Sequence, residues 1–435
     1  MIARSLRAAL LAVTLLAALP ASAETIAITN GKLAIGDGSQ PVDHGIVVIR
    51  DGRVLAAGAG IAVPAGARVI DAQGKWVSAG IVAGFTRMGI IEVDAVDPTD
   101  DSEADKSPFH AGIDVASAVN PLASNISVNR AEGITRAVVA PASSGSIFAG
   151  QGAVIDLGAD IDAIEVPHAF QFVELGETGA AQAGGSRPAA FASFRNAMME
   201  ARDYARNPTA DTGFEHQLTR LDAAALVPVV NGRTLLLVHV ERASDILQIL
   251  DLKREFPALK LVLVGANEAW TVAPRIAAAH VPVIATALAD LPASFEQLAA
   301  TQSNIGRLHA AGVTVAIGMI NDNEARQARL VKQYAGNLVA LQRIPGATGL
   351  DWGAAFASIT SGPAEAMGLG GEIGSLRAGR RADVVIWDGD PLELASAPIA
   401  VYIDGVIQPL ENHQSRLRDR YRTLDETRRP RGYER

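Results

Sequence analysis

From about Ala79 onward, short apolar runs rich in Val, Ile and Leu recur along the chain, at 137–140, 234–240, 260–264, 281–285 and 314–317. Between and after them lie longer stretches with helical character, at 243–256, 270–280, 295–311 and 324–340. Continuous apolar runs are the signature of strands buried on both faces, and their alternation with helices predicts right-handed βαβ units. The pattern near the N terminus differs. After residue 24 come short alternating strands punctuated by Asn30-Gly31, Asp37-Gly38 and Asp51-Gly52, each a turn signal. Residues 382–387 and 400–403 return to short strands, with an Asp404-Gly405 turn. Neither terminal set is large enough to bury a face alone, so the two are expected to pair. The expected fold is α/β: a (β/α)8 barrel over 79–374, with a small composite β-sandwich domain built from 24–78 and 375–410.

The two ends of the chain add compartment and charge. Residues 1–23 carry Arg4 and Arg7, then the apolar run 8–19, then Ala21-Ser22-Ala23 before Glu24. That is the layout of a cleaved secretory signal, too short in its apolar part to span a bilayer comfortably. A periplasmic protein starting at Glu24 is expected; a single N-terminal anchor is the alternative. The chain has no cysteine, so a large core must do the work of disulfides. Loss of Arg4 and Arg7 with the leader takes the net charge from −9 to −11, a poor match for nucleic acid or an anionic membrane. No later segment reads as a membrane span. The uncharged stretch 137–155 is broken by Pro141, Ser143, Ser144 and glycines. The tail, 411–435, carries eight arginines from Asn412 onward and reads as an exposed helix that frays.

Several segments together resemble one family. They are Gly374-Ser375-Leu376-Arg377-Ala378-Gly379-Arg380-Arg381-Ala382-Asp383-Val384-Val385-Ile386-Trp387-Asp388, the opening strands around Ile26–Lys32 and Gly45–Val54, the run Leu236-Leu237-Val238-His239-Val240, and residues 360–369. They are similar to the closing, opening, fifth-strand and late-helix motifs of the amidohydrolase superfamily, nearest its imidazolonepropionase-like branch. The resemblance spans nearly all of the chain after the leader. It implies a hydrolase of carbon–nitrogen bonds that holds zinc or another divalent metal. The ligands would be two histidines of a D-x-H-x-H pattern on strand one, a carboxylated lysine or a glutamate on strand four, histidines on strands five and six, and an aspartate on strand eight. In such a site the metal lowers the pKa of a bound water.

The residues at those places depart from the family. Within Trp76–Gly89 the aspartate falls on Ala83 and the two histidines on Phe85 and Arg87. Phe offers no lone pair and a guanidinium repels a cation. The strand-six histidine aligns with Gly265, and the strand-eight aspartate with Met319 or Ile320, with Asn321 and Asp322 just beyond. A register slip would restore Asp322 as an acid but not the strand-one pair. With strand four placed at 227–230, only Asn231-Gly232-Arg233 follows, so no lysine is available there. His239 alone survives, whereas catalytic zinc normally has three protein ligands. No bound metal is therefore expected.

Each remaining candidate has a functional and a bland reading. His239 is either part of a site or a buried, hydrogen-bonded remnant. Arg87 is either the anchor for a small anionic ligand, with His239 and Asn267 as hydrogen-bonding neighbours, or half of an internal ion pair with Glu92, Asp94 or Glu268. Glu268 and His239 form a metal-free acid–base pair if they meet. The acidic segment 94–105 is a calcium or cation loop, or a solvated one; it lacks the D-x-D-x-D-G spacing of an EF-hand. The Gly-rich run Ser146–Gly152 resembles a family loop and reads as structural, having no Lys-Ser/Thr of a phosphate loop. There is no G-x-S-x-G elbow and no thiol. Three functions remain open: a non-catalytic binding subunit, acting beside an intact amidohydrolase paralogue or as a homo-oligomer; a hydrolase of cyclic amides or short peptides with an atypical site; and a periplasmic binding protein anchored by Arg87.

Overall fold

The computed structural model describes residues 24–93, 95–209, 216–287, 289–320 and 327–423. The leader, Asp94 and Asp322 lie outside these ranges.

The terminal strands β1 (Thr25–Ala34), β2 (Val42–Arg50), β3 (Arg53–Gly58), β4 (Arg68–Asp71) and β5 (Trp76–Ala79) join β14 (Val384–Trp387), β15 (Pro398–Ile403) and β16 (Val406–Ile407) in one sheet. β1 is long enough to serve two neighbours. Its first half pairs with β4 and its second half with β5, both parallel. The chain's two ends meet where β5 pairs antiparallel with β14, Trp76 opposite Trp387. Trp387 is fully buried there, and its indole N–H donates to Ser78 Oγ at 2.8 Å. Gly133 lies so close that an added Cβ would meet the indole at 2.5 Å, which explains a glycine at that turn.

The second sheet is the barrel, with strands in the order β6 (Ile81–Thr86), β7 (Ile134–Val139), β8 (Phe148–Asp156), β9 (Ile164–Glu174), β10 (Leu235–Val240), β11 (Lys260–Gly265), β12 (Val283–Ala285) and β13 (Val315–Ile317). The Met319 N–H donates to the Phe85 carbonyl at 2.9 Å and brings the last strand back to the first. Alternate side chains divide into two clusters. Phe85, Val138, Val154, Phe170, Phe172, Leu237, Val262, Val264, Ile284 and Ala316 form the inner one. The larger outer cluster packs under the helices.

The helices described are α1 (Ser124–Arg130), α2 (Glu177–Gln182), α3 (Arg187–Arg206), α4 (Arg220–Val230), α5 (Ala243–Glu255), α6 (Ala273–Ala278), α7 (Asn304–Ala310), α8 (Val331–Ala340), α9 (Trp352–Ala357), α10 (Ser361–Ala366) and α11 (His413–Tyr421). The second half of the barrel follows the expected βαβ alternation closely. The first half does not. β8 pairs antiparallel with both β7 and β9, so a pair of hairpins replaces two crossover units. Gly152 permits this: a Cβ there would lie 1.9 Å from the Phe170 ring, so strands β8 and β9 approach only because that side chain is missing. Most of the Gly-rich run 146–152 is thus the start of β8, where Gly152 serves strand packing.

Two further expectations are corrected. Residues 227–230 are the end of α4, not a strand; the apolar run continues a helix that tolerates Pro228 inside it. The helix expected over 295–311 is confined to α7, because the chain before it is drawn inward by Glu296 and by a Trp270 indole N–H bonded to the Ala299 carbonyl at 2.8 Å.

Candidate functional site at the barrel mouth

The strand preceding β10 is β9, and its last residue is Glu174, paired in register with His239. A carboxylate therefore stands at the strand-four position, where the misplaced strand had shown nothing. Its sequence signal was the alternation Ala169-Phe170-Gln171-Phe172-Val173-Glu174, which puts Glu174 on the same face as Phe170 and Phe172. Glu241, two residues beyond His239, keeps the face of Leu237 and His239 and was missed as well.

These three side chains form a tight row. His239 Nδ1 lies 2.6 Å from Glu174 Oε2, and Nε2 lies 3.2 Å from Glu241 Oε1. Glu241 is fixed in turn by the Asn267 backbone N–H, which donates to its other oxygen at 2.8 Å. Burial disfavours the imidazolium, but the charge and hydrogen bond of Glu174, then those of Glu241, outweigh it and hold His239 well above its ordinary value. A protonated imidazole donates through both nitrogens and has no lone pair left. In this arrangement both ring nitrogens face carboxylates, at 2.6 and 3.2 Å.

Around this row the mouth is tied by further ion pairs. Arg187 contacts Asp245 at 2.8 Å and Glu296 at 3.1 Å, and Arg242 contacts Asp245 at 2.7 Å. Glu296 is raised above the usual carboxylate range by burial and by Glu177, against the lowering effect of the Glu177 amide and of His239.

The other expected site residues take separate roles. Glu268 does not pair with His239; its oxygens accept the Ala243 N–H, at the start of α5, and the Ala299 N–H, both at 3.0 Å. The acid–base partner nearest His239 is Glu174 instead. Asn267 is buried, and its side-chain oxygen has no hydrogen-bond partner. Arg87 is 8% exposed just past β6 and is itself engaged in an interaction. Of its expected partners, Glu268 is taken up by backbone amides, and Glu92 accepts from the Asn120 side chain. Within the acidic loop, Asp97 opens a short turn and Asp100 accepts from the Ser102 N–H and hydroxyl, so these carboxylates serve local geometry. Among the described residues no group of three or more His, Asp or Glu is disposed to hold a metal ion.

A divalent metal does not fit this donor set. Phe85 is 1% exposed and packs edge-on against Phe172 at 5.3 Å, closing the strand-one position. Gly265 has φ +84°, and a Cβ there would lie 2.6 Å from Glu241 Oε1 and 2.9 Å from His239 Cδ2. The room for a strand-six ligand is already taken by the glutamate and histidine.

An amidohydrolase family model matches residues 251–410. The chain is 25% identical over 403 residues to amidohydrolase tasK of Hapsidospora irregularis, covering 84% of this chain and 39% of that protein. It therefore spans well under half the length of that relative. An amidohydrolase from Thermotoga maritima MSB8 superposes with a TM-score of 0.76 at 25% identity, covering 88% of this chain and 99% of the other. Over most of its length the chain is thus similar to members of the amidohydrolase superfamily. A prolidase solved with N-methylphosphonate-L-proline shares the fold, with a TM-score of 0.53 at 16% identity over 88% of this chain and 99% of that one. Members of this superfamily hydrolyse C–N bonds, and its barrel mouth is where this chain sets the Glu174–His239–Glu241 row.

Proposed function

We propose that this protein is a non-catalytic member of the amidohydrolase superfamily, in which the barrel mouth serves binding and the metal has been replaced by an internal ion row. One observation carries the reading: both nitrogens of His239 are committed to carboxylates, at 2.6 and 3.2 Å. The family's water activation needs a metal with an open position, and the strand-one and strand-six places offer no donor. Elemental analysis of the purified chain tests this directly. Zinc, iron and manganese are expected well below one per chain, and a single tightly held ion lost on His239→Asn would overturn the proposal.

A second reading, an atypical hydrolase of cyclic amides or short peptides, is favoured by Glu174 and His239. They stand together at the strand-four and strand-five ligand positions of the family. It requires that the metal analysis come out at one ion per chain and that Glu174→Gln also abolish it.

For the binding role, Arg87 is the residue whose charge suits a small anionic ligand, since desolvated guanidinium–carboxylate contacts are charge-assisted. His239, with both nitrogens spent on glutamates, drops out of that ligand set. Arg87→Met is expected to weaken a bound carboxylate about a hundredfold, because truncating one partner of such a contact removes roughly 2–5 kcal/mol. Calorimetry on a panel of small carboxylates is the measurement. A melting temperature that falls on Arg87→Met while no carboxylate responds would assign the arginine to an internal ion pair.

A further inference from the structure

At the opposite end of the barrel, a second charge cluster joins the barrel to the terminal sheet. Arg136 on β7 is fully buried. Its Nε and Nη2 donate to the two oxygens of Asp383 at 2.8 and 3.0 Å. Its Nη1 meets Glu165 at 2.6 Å and lies 3.9 Å from Asp156, while Nη2 also meets Asp404 at 2.9 Å. Arg381 repeats the bridge, reaching Glu165 at 2.7 Å and Asp404 at 2.9 Å. Arg136, Asp156 and Glu165 come from three barrel strands, whereas Arg381, Asp383 and Asp404 flank β14 and β15 of the terminal sheet.

The charges do not balance. Asp156, Glu165, Asp383 and Asp404 supply four carboxylates. Facing them are Arg136 and Arg381, plus Arg130, which senses Asp156 and the exposed Asp160. Nearby, Arg53 and Glu372 neutralise each other at 3.0 Å. Even with Arg130 counted wholly toward these four, at least one negative charge is left over, in a place where an unpaired charge is disfavoured. The two carboxyl groups from the barrel, Asp156 and Glu165, converge on the same guanidinium nitrogen, Arg136 Nη1, at 3.9 and 2.6 Å. Two carboxyls in that relation hold one proton between them. A cavity of about 240 Å³, lined by Arg136, Glu165 and Arg381 beside Val154, Val166 and Leu369, borders the Glu165 side of the cluster.

We propose that this cluster is a proton-gated latch: one proton shared by Asp156 and Glu165 completes the charge balance that fastens the terminal sheet to the barrel, and its loss loosens the sheet. Burial, reinforced by Glu165, raises the Asp156 carboxyl to about 7, against the lowering effect of the Gly158 amide and Arg136. The sign follows from linkage. A carboxyl whose folded-state value lies above its unfolded one, near 3.8, contributes fully below about pH 4 and loses that contribution as pH rises through 7.

Amide hydrogen exchange on the full chain, corrected for the intrinsic pH dependence of exchange, tests the latch. Protection of β14 and β15 is expected to fall about tenfold or more between about pH 5.5 and 8.5, while β10 and β11 stay unchanged. Asp156→Asn, which supplies a permanent neutral donor, should flatten that response. Equal protection of the wild-type strands at both pH values overturns the latch, as does a full wild-type slope in Asp156→Asn. If that variant fails to fold, Glu165→Gln is read by the same criteria. Infrared spectroscopy of the unmodified chain gives an independent reading: a protonated-carboxyl band that disappears on passing neutrality supports the latch, and its absence at about pH 5.5 overturns it.

Discussion

Arg136→Met should be among the most damaging single substitutions in this chain, lowering its stability at neutral pH by about 3–5 kcal/mol or more. The arginine is fully buried, and removing it strips the main counter-charge from Asp383, Glu165 and Asp404 at once. Asp383 is then left without an arginine, Glu165 and Asp404 keep only Arg381, and the excess carboxylates must either protonate or admit water. The variant should therefore recover part of its loss as pH falls. Arg136→Lys should rescue only a fraction, since an ammonium cannot form the two-point contact with Asp383 seen at 2.8 and 3.0 Å. Thermal melts of the three proteins at two pH values measure this. A shift for Arg136→Met equivalent to under about 1 kcal/mol would mean the cluster is solvated and contributes as little as an exposed ion pair.

That cluster also shows what was hidden in the sequence. Asp383 belongs to the Arg381-Ala382-Asp383 stretch that suggested the family, yet its partner Arg136 lies 247 residues away. No local pattern links them, because a buried ion pair is specified by tertiary packing and not by periodicity. What depended on local pattern was legible. The apolar runs of β10 to β13 and the pairing of the chain's two ends could be read directly. The first half of the barrel was not, since the hairpins around β8 imitate ordinary strand signals and lack the helices that mark a crossover. That loss propagated into the site. With β9 unrecognised as the fourth strand, Glu174 had no place, and His239 looked solitary when it stands between two glutamates.

Gly265→His tests whether the proposed absence of a metal site rests on side chains alone or on the backbone as well. If only side chains had changed, combining Gly265→His with Phe85→His and Arg87→His would rebuild most of the family's donors and draw a metal in. The geometry argues otherwise. Gly265 has φ +84°, and the following Ala266 also has positive φ, at 53°. A histidine in the left-handed region is penalised by roughly 1–2 kcal/mol. Its Cβ would also press to 2.6 Å from Glu241 Oε1, adding about 1–3 kcal/mol of overpacking or expelling the glutamate from His239. Expelling Glu241 would in turn release the Asn267 amide that it accepts at 2.8 Å. Gly265→His is therefore expected to lower the melting temperature markedly, and the triple variant to remain poor in metal. Were the triple variant to bind one zinc per chain with stability intact, the loop after β11 would have to be adaptable. The ion row would then be a recent occupant of an otherwise preserved metal site. A destabilised, metal-poor variant would instead place the change in the backbone path from Gly265 to Asn267, which sets Glu241 against His239 and leaves the ring no free nitrogen.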